Sequence, residues 1–211
     1  MFNVFTVNIG KTMKYHHGNL KEELISSACI ICEANGHDHM SLRSIAKEAN
    51  VSQTAPYRHF KTKENLLAEV SKKGFEKLGE ILNQASGQNE KMSAKERFVE
   101  MGFAYVKFGL EKRNTYDLMH SPIIDKVEFP ELLEAASAAF NELIKIIAEL
   151  NPGISNTDLS RQCVLYWALV HGLVGLVGDT KIDESASTNA GDAMSIVRKD
   201  LRSFLTMALD S

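Results

Sequence analysis

Cysteine is scarce in this 211-residue chain, with only Cys29, Cys32 and Cys163 present. An odd, sparse set does not form the framework of a small secreted domain. No basic stretch followed by an apolar core opens the sequence, so nothing there reads as a signal peptide. The most apolar run, Val164–Val177, falls short of the roughly 20 residues that span a bilayer. These absences lead us to expect a soluble cytoplasmic protein with no membrane contact. Strand-like alternation is confined to the first thirteen residues, which have no partner strand, and internal repeats are missing. There is also no His-Glu-x-x-His pair, no glycine-rich phosphate loop and no nucleophile elbow. No catalytic residue, metal site or cofactor is therefore expected. The formal net charge of -3 excludes a polycation. The basic residues are in slight excess up to residue 80 and the acidic ones after it. Only the first part therefore suits a polyanionic partner.

Helical periodicity fills most of what remains. Leu20, Leu24, Ala28, Ile31 and Cys32 share one helix face, ended by Gly36. Ser41 is placed to N-cap a second helix, Leu42–Ala49, which buries Leu42, Ile45, Ala46 and Ala49. Ser52 is placed to N-cap a short third helix reaching Phe60. Thr62 caps a long fourth helix carrying Leu66, Leu67, Val70, Phe75, Leu78, Ile81 and Leu82. A polar stretch, Ser86–Ser93, precedes a helix with the stripe Phe98, Met101, Tyr105 and Phe108. Pro122 and Pro130 bracket a loop or short helix, and Glu131–Leu150 ends at Asn151-Pro152-Gly153. Thr157–Gly178 is apolar almost all round, so both of its faces should be covered. After the polar linker Lys181–Asn189, a last helix runs from Ala190 to Leu209. The fold class is all-α with about nine helices. The division expected is an extension (1–13), a DNA-binding unit (14–62), a connecting helix (63–85) and a ligand-binding and dimerisation bundle (86–211). The extension reads as flexible, and translation can begin at Met1 or Met13.

The segment Ser41–Phe60 carries the function. Two short helices are joined by Ala49-Asn50-Val51-Ser52. Asn50 is one of the few non-glycine residues that tolerate a left-handed conformation. In a helix-turn-helix the second helix enters the major groove with its first residues on base edges. Gln53 can bond adenine bidentately, and Thr54 can bond a base or touch a thymine methyl. Tyr57, Arg58 and His59 offer phosphate donors; for His59 phosphate contact is favoured over a plain surface role, and for Arg58 the two readings are even. Lys63 joins a helix N-terminus to grip a phosphate. Arg43 and Ser44 can clamp the adjoining backbone, and Ser52 restarts the chain beside it. Lys11, Lys14, His16 and His17 can follow the backbone or the minor groove.

The string from Ser41 to Leu67, with Tyr57–Phe60, Lys63-Glu64 and Leu66-Leu67 as its most specific parts, resembles the DNA-binding signature of TetR-family regulators. The resemblance is strongest over Gly18–Leu78. Trp167…His171-Gly172 and the lead-in Tyr15–Leu20 resemble the subgroup with a C-terminal WHG domain. The resemblance implies an all-α homodimer, a palindromic operator in double-stranded DNA, and a small-molecule effector pocket in each C-terminal bundle. Effector binding would shift the connecting helix and release the repressor. The resemblance maps DNA contacts onto Arg43, Gln53, Thr54, Tyr57, His59 and Lys63. Two departures are Asn50, where the family favours glycine, and Pro56, which removes one amide donor near a first turn whose amides are largely free.

Other features have plainer readings. Cys29-Ile-Ile-Cys32 has redox-motif spacing, yet it lies mid-helix without a βαβ context, so packing is expected. His16, His17, His37 and His39 have metal-ligand chemistry but read as residues of flexible ends. Trp167 and His171 share a face, as packing residues with a satisfied imidazole or as a polar handle in a pocket. Met101, Tyr105, Phe108, Met119, Phe140, Trp167 and His171 are the candidate pocket residues. Dimerisation is expected through 157–178 and 190–209. Two rivals to the effector-responsive repressor are an architectural, effector-free helix-turn-helix protein and an all-α enzyme using His171.

Overall fold

The computed structural model describes residues 20–87, 92–178 and 189–209. The expected flexible extension, Lys11, Lys14, His16, His17, the Tyr15–Asn19 lead-in and nearly all of the polar linker 181–189 lie outside the described residues. The rest is all-α, with nine α-helices among the described residues.

Helix α1 (Leu20–Asn35) buries Leu24, Ile25, Ala28, Ile31 and Cys32. It stops at Gly36, whose φ of 78° needs no Cβ and whose amide reaches the Cys32 carbonyl at 2.8 Å. Helix α2 (Leu42–Glu48) starts at Ser41. The Ser44 amide donates to Ser41 Oγ and the Ser41 amide to Ser44 Oγ, a reciprocal capping box. Asn50 then adopts φ 52°, and the Val51 amide returns to the Ala46 carbonyl at 2.9 Å. This left-handed cap turns the chain sharply out of α2.

The α-helix expected from Ser52 to Phe60 does not form. Its place is taken by a turn and a short 3-10 helix, Pro56–Arg58. Proline explains the difference. An α-helix would require the residue-56 amide to donate to the Ser52 carbonyl, and Pro56 has none. The Ala55 amide takes that carbonyl instead, at 2.9 Å, with the tighter three-residue spacing. Ser52 Oγ lies 3.2 Å from Thr54 Oγ1 rather than capping a helix.

Helix α3 (Lys63–Ser86) begins in a second capping box, between Thr62 and Asn65. It is the spine of the molecule: its first turns pack on α1, and its remainder packs on α4 (Ala94–Glu111), α5 (Arg113–His120) and α6 (Pro130–Leu150). Helices α4 and α5 are separated at Lys112, and Pro130 occupies the first turn of α6. A 3-10 turn, Lys126–Glu128, lies between α5 and α6. Helix α7 (Asn156–Gly178) crosses α4 so closely that a Cβ on Gly109 would stand 2.6 Å from both methyls of Val174. The last helix is not continuous as expected. It divides into α8 (Asn189–Lys199) and α9 (Leu201–Leu209) at Asp200, whose carboxylate accepts from the Ser203 amide and hydroxyl. Asp200 thus caps a new helix instead of continuing the old one.

Helix α7 is only partly covered within one chain. Its 23 residues are long and apolar enough to cross a membrane by length and composition alone. Within one chain only Cys163, Leu173 and Val174 are buried. Leu165, Ala168, Gly172 and Leu176 form an exposed stripe at helical spacing, with Leu165 63% and Leu176 48% accessible. The apolarity is there, but a single copy of the chain does not cover it.

Candidate nucleic-acid interface and ligand cavity

The head segregates its residues cleanly. Leu42, Ile45, Ala46, Ala55, Pro56 and Phe60 face inward and are buried, while Arg43, Ser52, Gln53, Thr54, Tyr57, Arg58, His59 and Lys63 are all exposed. Tyr57 leaves 54% of its surface accessible, a large aromatic with no apolar neighbourhood to claim it. The Asn50 turn and the Pro56 turn together produce this arrangement, because they set the 53–58 segment across the end of α2 with its inner side anchored by Ala55, Pro56 and Phe60. Lys63 donates to the Asp38 carbonyl at 3.4 Å, which holds it at the α3 N-terminus. Exposed Lys61, which the sequence reading passed over, extends the same basic rim. Ser44 differs from the clamp expected of it: its hydroxyl donates to the Ser41 carbonyl at 2.9 Å and accepts the Ser41 amide, so it is committed to the cap.

A second feature lies within the bundle. A half-open cavity of about 850 Å³ is walled by α3, α4, α6 and α7. Five of the seven expected pocket residues line it: Met101, Tyr105, Phe140, Trp167 and His171. Phe108 and Met119 do not, and both are core residues. The stripe that carries Tyr105 continues to Phe108, but the cavity ends before it, where Val174 closes on Gly109. Met119 packs against Gly74 of α3.

Among the lining residues that the sequence did not point to are His120 and Lys126, and Tyr116 stands behind them. The Tyr105 and Tyr116 hydroxyls are 3.1 Å apart, and Tyr116 Oη is 2.6 Å from His171 Nδ1. His120 Nδ1 donates to the Tyr116 carbonyl at 2.9 Å, since a carbonyl can only accept. Burial pushes the His120 imidazole down to about 4, and burial also lowers that of His171. Both rings are therefore neutral at pH 7, and His120 Nε2 keeps a free lone pair for acceptance. Burial, then the neighbouring Tyr105, pushes the Tyr116 phenol up. His171 satisfies both readings of it at once: its imidazole is partnered, and it lines the cavity.

The same short helix that holds Tyr116 and His120 reaches the head. Asn114 Nδ2 donates to the Glu33 carbonyl at 2.8 Å, and Thr115 Oγ1 to the Glu33 carboxylate at 2.7 Å. Helix α5 thus touches the cavity on one side and α1 on the other. A smaller cavity of about 380 Å³ lies at the junction of head and bundle, bordered by His59, Phe60, Lys72, Glu128, Phe129 and Glu131. Lys72 bridges to Glu131 across it. Cys29 and Cys32 pack in α1 as unbridged thiols, with Cys32 pushed up to about 11, mainly by burial. Among the described residues no group of three or more His, Cys, Asp or Glu side chains is arranged to hold a metal ion.

Two family models match this chain and together span most of it. Residues 24–70 match the model described as bacterial regulatory proteins of the tetR family, and residues 98–194 match the tetracyclin repressor-like C-terminal domain. The chain belongs to the TetR family. It is thus a helix-turn-helix transcription regulator of a family that is typically non-enzymatic. Neither family model is described as that of the WHG subgroup. Among solved structures, a protein with unknown function from Rhodococcus sp. RHA1 is 29% identical, with a TM-score of 0.67 over 92% of this chain and 99% of its own. PfmR, a TetR family transcriptional regulator from Thermus thermophilus, is 15% identical, with a TM-score of 0.59 over 87% and 97%. A TetR variant from Acinetobacter baumannii AYE, solved in complex with minocycline, is 18% identical, with a TM-score of 0.57 over 90% and 96%. A search of the curated proteins found no match.

Proposed function

We propose that this TetR protein is a cytoplasmic, non-enzymatic repressor. It binds a roughly palindromic operator as a homodimer and releases it when a small molecule fills the 850 Å³ cavity. Gln53 and Thr54 read base edges, while Arg43, Tyr57, Arg58, His59 and Lys63 hold phosphates. Ser52 lies beside them at the groove, and Ser44 acts through the cap of α2. In this reading residues 14–62 are the DNA-binding unit, 63–85 connect, and 86–211 sense and dimerise.

The observation that carries the reading is the outward presentation of Gln53, Thr54 and Tyr57 on a buried anchor. The exposed stripe of α7, together with exposed Ile196 and Met207 on α8 and α9, supports a two-fold four-helix interface. The small residues Ala168, Gly172 and Gly175 between Leu165 and Leu176 leave room for a close helix approach: a Cβ on either glycine would meet nothing within 4 Å. The cavity favours the sensor over the architectural rival, which needs no such space, and the His171 contacts supply no paired acid–base machinery for an enzyme.

Selection of bound sequences from a random DNA pool tests the proposal. A palindromic consensus bound by two chains is expected, as is conversion to monomers and loss of operator binding in Leu165→Glu, measured by sedimentation. Enrichment of a non-repeated site bound by one chain would refute it.

A further inference from the structure

The charge pattern of the larger cavity narrows what it can hold. Its walls are dominated by Phe75, Phe98, Met101, Phe140 and Trp167, and among the described residues no Asp or Glu lines it. One full cation does: Lys126, on the 3-10 turn between α5 and α6, with Nζ 6.0 Å from the centre of the Phe75 ring. Lys126 is half-buried and, among the described residues, its ammonium makes neither a hydrogen bond nor an ion pair. Its charged form is penalised by burial and only partly relieved by the neighbouring Asp125. A half-desolvated ammonium in an apolar chamber, with no carboxylate of the described residues in the chamber wall, favours an anion carried in on an apolar body. The other polar groups that line it carry no charge: the two imidazoles are neutral, and Ser137, Asn141, Tyr166 and Trp167 offer only uncharged donors. Among the described residues the chamber therefore has one cationic point.

We propose that the effector of this cavity is an amphipathic monocarboxylate whose apolar body lies against Phe98, Phe140 and Trp167 and whose carboxylate is held by Lys126. The inference rests on the reading of the cavity as the effector site and adds the chemical class of its occupant. A charge-assisted bond of this kind favours the matched ligand by about tenfold to a hundredfold over an uncharged analogue.

Calorimetric titration of the full-length protein with decanoate, 1-decanol and decylamine tests it, since the three share a body and differ in head charge. Decanoate should bind at least tenfold tighter than the other two. In Lys126→Met that preference should vanish while decanol binding stays unchanged, which also shows the chamber intact. Equal affinities, tighter binding of decylamine, no binding of any of the three, or a preference that survives Lys126→Met would overturn the inference. A gel shift on the selected operator separates this from the underlying reading. If decanoate binds with the stated preference yet leaves operator occupancy unchanged, the carboxylate site stands and the sensor reading falls.

Discussion

The Tyr116 hydroxyl and His171 Nδ1 stand 2.6 Å apart, tying α5 to α7 at the polar end of an otherwise apolar chamber. Tyr105 extends the chain from α4 at 3.1 Å, with the two phenol rings nearly perpendicular. One buried hydroxyl thus serves three helices.

Removing that hydroxyl should be costly. Tyr116→Phe leaves Tyr105 and His171 each short of a partner and should lower stability by about 1–3 kcal/mol in urea unfolding. Adding Tyr105→Phe to this background should cost much less than it does alone, because the pair acts as one network. Strictly additive losses would show that the three groups are uncoupled.

Acid should weaken the fold through His120. Its folded-state value is about 4 against an ordinary 6.5. Between these values the unfolded chain takes a proton that the folded chain refuses. Stability therefore falls as pH drops from 6.5 towards 4, by at most about 1.4 kcal/mol per unit, and this group has no effect above 6.5. His171, which faces it, adds a loss of the same sign, and nearby Lys126 opposes protonation while Asp117 favours it. Urea midpoints at pH 7 and pH 5 should therefore lie closer together in His120→Gln than in the parent. Equal separation in the two proteins would contradict the assignment.

Gly109→Ala should destabilise by about 1–3 kcal/mol, because its methyl would overlap the Val174 side chain at the α4–α7 crossing. Val174→Ala, itself costly as a buried truncation, should recover part of the loss when combined with it. Thermal unfolding of the two single variants and the double variant gives the comparison. A double variant as unstable as the sum of its parts would rule out the contact as the cause.

On the DNA side, Tyr57→Ala and Lys63→Ala should weaken binding to all sequences alike, and Lys63→Ala should reduce the salt slope by about one. Gln53→Ala should instead relax base preference. Ser44→Ala behaves differently, costing about 1 kcal/mol of stability through its cap while leaving the dependence on salt unchanged. Fluorescence anisotropy on the selected operator at several salt concentrations separates the four.

Local chemistry made much of this architecture legible. Ser41, Thr62, Gly36 and Asn50 act where capping and left-handed preferences place them, since each choice involves only neighbouring residues. The 52–60 segment misled because periodicity and a capping serine both favour a helix, while the missing amide of Pro56 outweighs them. Asp200 misled for a related reason: a side chain that competes for backbone amides divides a stripe that looks continuous. Five of the seven pocket residues follow from helical faces. His120 and Lys126 were hidden because one ends a short helix and the other sits in a non-periodic turn before Pro130, where spacing carries no information about direction. Lys126 is brought to the cavity by the α5–α6 connection, a long-range fact.

The turn Lys126–Glu128 separates two hollows. Lys126 lines the large one, while Glu128 and Phe129 border the small one beneath His59 and Phe60. Closely spaced positions of one short turn thus contribute walls to both hollows, so a shift of that turn would alter the outline of each together.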